Sequence, residues 1–166
     1  MPDTELSWRE TYFVLFPADH RPTLSQVEGA ITDASNRLVV ENLEANDDGL
    51  FNSALVQAPD DNAAMEISYE WGDQVAEQSA ELAKKMKKRL AGEQLAKLLR
   101  SDARFDIMHF ERIVTSYEDD EDLGGDPDDE LQFEALDPAS LITVLEALTR
   151  LTGGIAIDPG SGEIMA

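Results

Sequence analysis

Cysteine is absent from the 166 residues, histidine occurs twice, and the five lysines are outnumbered by eight arginines. Without thiols there is no disulfide, no thiolate metal site and no cysteine nucleophile, which fits a reducing compartment. Two histidines leave a typical zinc site short of good ligands. Apolar runs such as YFVLF, Tyr12–Phe16, are too short to cross a bilayer. The opening MPDTELSWRE has no basic region leading into an apolar stretch, so no cleaved secretory signal is expected. The chain lacks the GxxxxGK[ST] phosphate loop, the GxSxG elbow and the HExxH pair. TGGIAIDPGSG is glycine-rich, but it has no phosphate-loop lysine and follows a helical pattern rather than a strand. Helix termination plus a turn accounts for it. These absences point to a soluble, cytoplasmic protein with no call for a metal or another cofactor.

What the sequence has in excess is acid. Its 35 carboxylates against 13 bases give a net charge of −22. Nine of those acids lie between Glu118 and Glu130, so removing them still leaves −13. The negative potential therefore belongs to the whole surface, repelling nucleic acid and anionic lipid and steering toward cationic partners. A salt-adapted cell, where ions screen the self-repulsion, is one setting for such a surface.

Periodicity supplies the elements. TYFVLF, Thr11–Phe16, reads as a strand buried on both faces. Thr23 with Gln26 three residues on forms a capping box opening a helix whose inner face is Leu24, Val27, Ile31 and Ala34. RLVVENLEA and LFNSALVQA flank the turn NDDG, and PDDN leads into AAMEISYEWG, where Met65, Ile67, Tyr69 and Trp71 alternate with polar residues. These three segments predict an antiparallel meander. A helical pattern spans Asp73–Arg100, with a break or bend expected at Gly92. RFDIMHFERIV is a strand with Phe105, Ile107 and His109 on one face. DPASLITVLEALTRLTGG is a helix capped by Asp137, with Pro138 first and a terminal glycine; GIAID is a last short strand.

The order predicts a single α+β domain over residues 1–166. Its sheet is largely antiparallel, with helices packed on one face. The expected arrangement is a ferredoxin-like βαββαβ variant with an additional strand and a C-terminal helix.

The acidic stretch at about 116–130 reads as an exposed loop. A calcium loop fails in both registers. Starting at Asp119 places Leu123 and Pro127 at ligand positions, and starting at Asp120 places Leu131 where the bidentate glutamate belongs. A glycine-containing loop also cannot by itself hold the ordered charge rows of a nucleic-acid mimic. Against this acid stands KKMKKRLAGEQLAKLLR, holding seven of the thirteen bases with no interleaved aromatics for base stacking. His109, in an apolar strand pattern, reads as a packed histidine.

The function expected is a non-catalytic protein-interaction domain. Its partner is a cationic protein, as for an acidic inhibitor or immunity-type protein, or a second copy in a homodimer. Nucleic acid and membrane are not expected partners. The alternative is an enzyme or small-molecule binder using Asp19, His20 and Arg21, which follow a central strand and precede a helix N-terminus.

Overall fold

The computed structural model describes residues 3–115 and 139–166. The elements are β1 (Asp3–Phe16), α1 (Leu24–Ala34), β2 (Val39–Ala45), β3 (Phe51–Ala58), β4 (Ala63–Trp71), α2 (Asp73–Met86), α3 (Gly92–Leu99), β5 (Ala103–Thr115), α4 (Ala139–Thr152), β6 (Ile155–Asp158) and β7 (Glu163–Ile164). The strands form one seven-stranded sheet in the order β2-β3-β4-β5-β1-β6-β7, and every neighbouring pair is antiparallel. The protein is therefore α+β with an antiparallel sheet and four described helices.

Local signals explain the boundaries. The Thr23 hydroxyl accepts from the Gln26 N–H at 3.1 Å, and the Gln26 side chain accepts from the Thr23 N–H at 2.9 Å, completing the capping box. Gly49 turns β2 into β3 at φ +80. The helical pattern of Asp73–Arg100 does break, and Gly92 is the first residue of α3. At the start of α4 the Asp61 carboxylate, from the β3–β4 turn, accepts from the Ser140 N–H at 3.1 Å. The cap predicted at Asp137 and the acidic loop at 116–130 lie outside the described residues.

Two expectations about the architecture are corrected. Helices cover both faces of the sheet, not one. Val14 and Phe16 of β1 join Phe51, Ile67, Phe105, α1 and α4 in one core, while Leu15 and Phe13 join Ile155, Ile157, α2 and α3 in the other. A strand apolar on both sides needs two covers. The ferredoxin-like order is also not observed. The helices of a βαββαβ sandwich cross over between parallel strands, whereas α2 and α3 join β4 to its antiparallel neighbour β5. A three-strand meander stands where that arrangement has a hairpin. The first core is anchored by aromatic contacts, with Phe105 ring centroids 4.9 Å from Phe16 and 5.3 Å from Phe51.

On the second face the registers define rows of side chains running across the strands. Glu70–Arg104–Leu15–Ile155 and Ser68–Asp106–Phe13–Ile157 lie toward α2 and α3. Glu41–Leu55–Glu66–Met108–Thr11 and Val39–Gln57–Ala64–Phe110–Trp8 lie beyond them. Neither buried cluster includes residues of these last two rows.

Candidate functional site

The loop after β1 does not keep its three candidate residues together. Pro17 ends the strand, and a 3-10 turn over Ala18–His20 follows, pinned where the Ala18 N–H donates to the Asp102 carboxylate at 2.7 Å. His20 lies 2.9 Å through Nδ1 from the Thr152 carbonyl oxygen at the end of α4. A carbonyl only accepts, so Nδ1 carries the hydrogen and Nε2 is the nitrogen left for other chemistry. Asp19 Oδ1 stands 3.9 Å from that Nε2.

Arg21 points elsewhere. Its guanidinium carbon lies 4.0 Å above the centre of the Tyr69 ring, and Nε and Nη2 donate to the Phe51 carbonyl at 3.1 and 2.9 Å. Nη2 also donates to the Asn52 side chain. Burial raises the Tyr69 pKa, and the nearby Arg21 charge partly opposes that rise. Arg21 thus ties the start of β3 to the end of β4.

In its place the fold brings Lys97 of α3 and Arg100, the residue that caps the end of that helix. With Asp19, His20, Gly153 and Gly154 they line an open cleft of about 420 Å³ at the C-terminal end of β1. The sequence holds a signal for this pair: three residues apart on a helix, they share a face. What it does not show is that α3 packs beside β1 and β6, next to the end of α4.

Charge is segregated across the sheet. From residue 38 to residue 70, the meander holds eight carboxylates (Glu41, Glu44, Asp47, Asp48, Asp60, Asp61, Glu66 and Glu70) and no base, and Arg37, just before it, pairs with Asp60 at 3.4 Å. From residue 84 to residue 100 there are seven bases and one acid, Glu93, a net +6. The basic run spans the end of α2, the turn and α3, where Arg89 donates to the Ser161 carbonyl beside β7 at 3.2 Å. The meander forms the other edge of the sheet.

The meander also carries much of the strip formed by the last two rows of the second face. There Trp8 is 58% exposed and Val39 47%, with Leu55, Met108 and Phe110 half-buried beside them. Glu41 and Glu66, both exposed, interrupt this apolar strip. Its free edge, β2, is irregular: Asn42 adopts φ +51 and the pairing register shifts on either side of Glu44. Bulges and charge of this kind discourage strand addition at an edge.

Two further polar groups sit within the sheet. Arg104, buried on the second face, lies over the Phe13 ring at 4.2 Å and donates to Asp106 at 2.6 Å and to Gln78. His109 is half-buried on the first face, and its buried Nδ1 finds no hydrogen-bond partner among the described residues. Burial lowers its pKa, against the pull of Glu10, Asp61 and Glu111 and with a smaller push from Arg9.

No described helix is long and apolar enough to cross a membrane. Among the described residues no group of three or more His, Asp or Glu is placed to hold a metal ion. Compared with known protein families, with curated proteins and with solved structures, the chain has no significant match.

Proposed function

We propose that the chain is a non-catalytic interaction domain that binds a cationic protein on the strip running from Val39 to Trp8. The observation that carries this reading is the overlap of two properties. Apolar side chains, including two large exposed ones, share the strip with Glu41 and Glu66, and the meander beneath them has no base. Clusters of aromatic and aliphatic side chains supply contact energy in protein interfaces, and a charged surround selects the partner and speeds encounter. The irregular β2 edge directs that partner onto the sheet face rather than into the sheet. An acidic inhibitor or immunity-type protein blocking a basic nuclease is the concrete form of this role.

A second copy is the other occupant favoured by an observation, because the basic run of residues 84–100 offers the complementary charge. Sedimentation equilibrium at low and high salt separates the two occupants, since self-association would appear without any other protein and fade with salt. The main test is affinity capture with the parent and with the Trp8→Ser and Glu41→Lys/Glu66→Lys variants. These substitutions are at exposed positions and should leave the fold intact. A basic protein held by the parent, released by salt and lost with either variant supports the reading. A captured set unchanged by both variants refutes it.

A further inference from the structure

We propose that the cleft at the end of β1 is a second, separate site that takes a small oxyanion, the phosphate or carboxylate group of a small molecule. It lies at the opposite end of β1 from Trp8 and owes nothing to the sheet-face reading. Two walls supply unlike groups. α3 contributes Lys97, and Arg100 caps its C-terminal end three residues on; both are exposed, and the Arg100 Nε donates to the Ala96 carbonyl at 3.3 Å, so its two Nη groups face the ligand in this reading. The turn after β1 contributes His20 and Asp19. The hydrogen bond to Thr152 fixes the His20 ring with Nε2 as its free nitrogen. A protonated Nε2 donates to an oxyanion, and a neutral one accepts from an acidic oxygen.

At about 420 Å³, the cleft is in the size range of small-molecule sites. On a protein of charge −22, three of the fifteen lysine, arginine and histidine side chains meet here around one opening. Within a Debye length, roughly 10 Å at ordinary ionic strength, the charges of Lys97 and Arg100 stand against those of Asp19 and of Asp102, the latter already engaged by the Ala18 N–H at 2.7 Å. Arginine forks onto two oxygens of a phosphate or carboxylate, and lysine adds a point charge. Asp19 accounts for selectivity: it repels the anion mildly and accepts from a hydroxyl or ammonium group carried on the same ligand. The class is therefore a hydroxylated or aminated small anion, such as a sugar phosphate or an amino acid.

The probe is inorganic phosphate, titrated by NMR against sodium chloride at matched ionic strength. In the parent, phosphate should shift the amide signals of residues 18–20, 97–101 and 153–154 saturably, and chloride should not. Lys97→Gln/Arg100→Gln replaces two exposed side chains and should weaken phosphate binding roughly tenfold or more, the loss expected for charge-assisted hydrogen bonds. Asp19→Asn should tighten it about two- to fourfold, as one like charge is removed. Glycerol 3-phosphate should bind the parent more tightly than phosphate, and Asp19→Asn should reduce that preference. Equal responses to phosphate and chloride, or a Lys97→Gln/Arg100→Gln variant that binds like the parent, overturn the anion site. Phosphate binding that Asp19→Asn fails to strengthen overturns the role of Asp19.

Discussion

Replacing Gly154 with alanine sets a methyl group against the backbone of β1. A Cβ there would stand 2.2 Å from the Leu15 carbonyl oxygen and 3.1 Å from both the Leu15 carbonyl carbon and the Phe16 Cβ. Comfortable carbon contacts are about 3.5–4.0 Å, so something must move by more than an ångström. Leu15 is poorly placed to yield, because it is fully buried and pairs with Arg104 on one side and Ile155 on the other. Overpacking that side chains can absorb costs roughly 1–3 kcal/mol, and here the obstacle is backbone in mid-sheet, so about 3 kcal/mol is expected. For a chain of this size that lowers the melting temperature by roughly 6–12 °C. Gly153 is the internal control. It adopts φ +69, and the nearest atom to its notional Cβ is His20 Nδ1 at 3.9 Å. Alanine there has room and meets only the left-handed backbone penalty, about 1 kcal/mol. Urea unfolding of the two variants compares these costs directly. The reasoning fails if Gly154→Ala costs no more than Gly153→Ala.

Arg104→Leu should cost about 3 kcal/mol at neutral pH, because it strands the Asp106 carboxylate, whose pKa burial already raises and Arg104 holds back. Without Arg104 that pKa climbs further, so the deficit should shrink in acid; a deficit that grows as pH falls contradicts this. His109, whose folded pKa lies below its ordinary value, binds a proton more readily when unfolded. Stability should therefore fall as pH drops through about 6.5, and His109→Gln should flatten that slope in melting curves. Asp61→Ala removes the acceptor 3.1 Å from the Ser140 N–H and should cost about 1 kcal/mol in urea unfolding, while Asp60→Ala next to it costs less.

Local signals in the sequence were reliable where one stretch decides the outcome. The Thr23–Gln26 box, the Gly49 turn, the alternation of Met65 and Ile67 and the break near Gly92 all appear as read. The double-sided burial of Thr11–Phe16 is also visible in the sequence, and it requires a cover on each face, which a single helical layer does not supply. Topology was harder to read because nothing within α2 and α3 says that the chain returns to an antiparallel neighbour. The site divides in the same way. Asp19 and His20 were legible as a loop between strand and helix, but Arg21 was claimed by Tyr69 and by a carbonyl of β3, partners far along the chain. In the sequence Lys97 and Arg100 are part of a charged run, and their meeting with the β1 turn depends on tertiary packing. The strip was hidden because Trp8, Val39, Leu55 and Phe110 become neighbours only through the registers of four strand pairs.

The placement of β1 bears on how the chain is made. Its two neighbours are β5, beginning at Ala103, and β6, beginning at Ile155. During synthesis the meander can close on itself, hairpin by hairpin, as it leaves the ribosome. The first strand cannot, and at about 5–20 residues per second it waits roughly 4–17 s for β5 to be translated. Through that interval an aromatic, β-prone segment trails from the ribosome with no ladder to join. Mutual repulsion between nascent chains rich in aspartate and glutamate is then a safeguard against premature clumping, useful before any native structure exists.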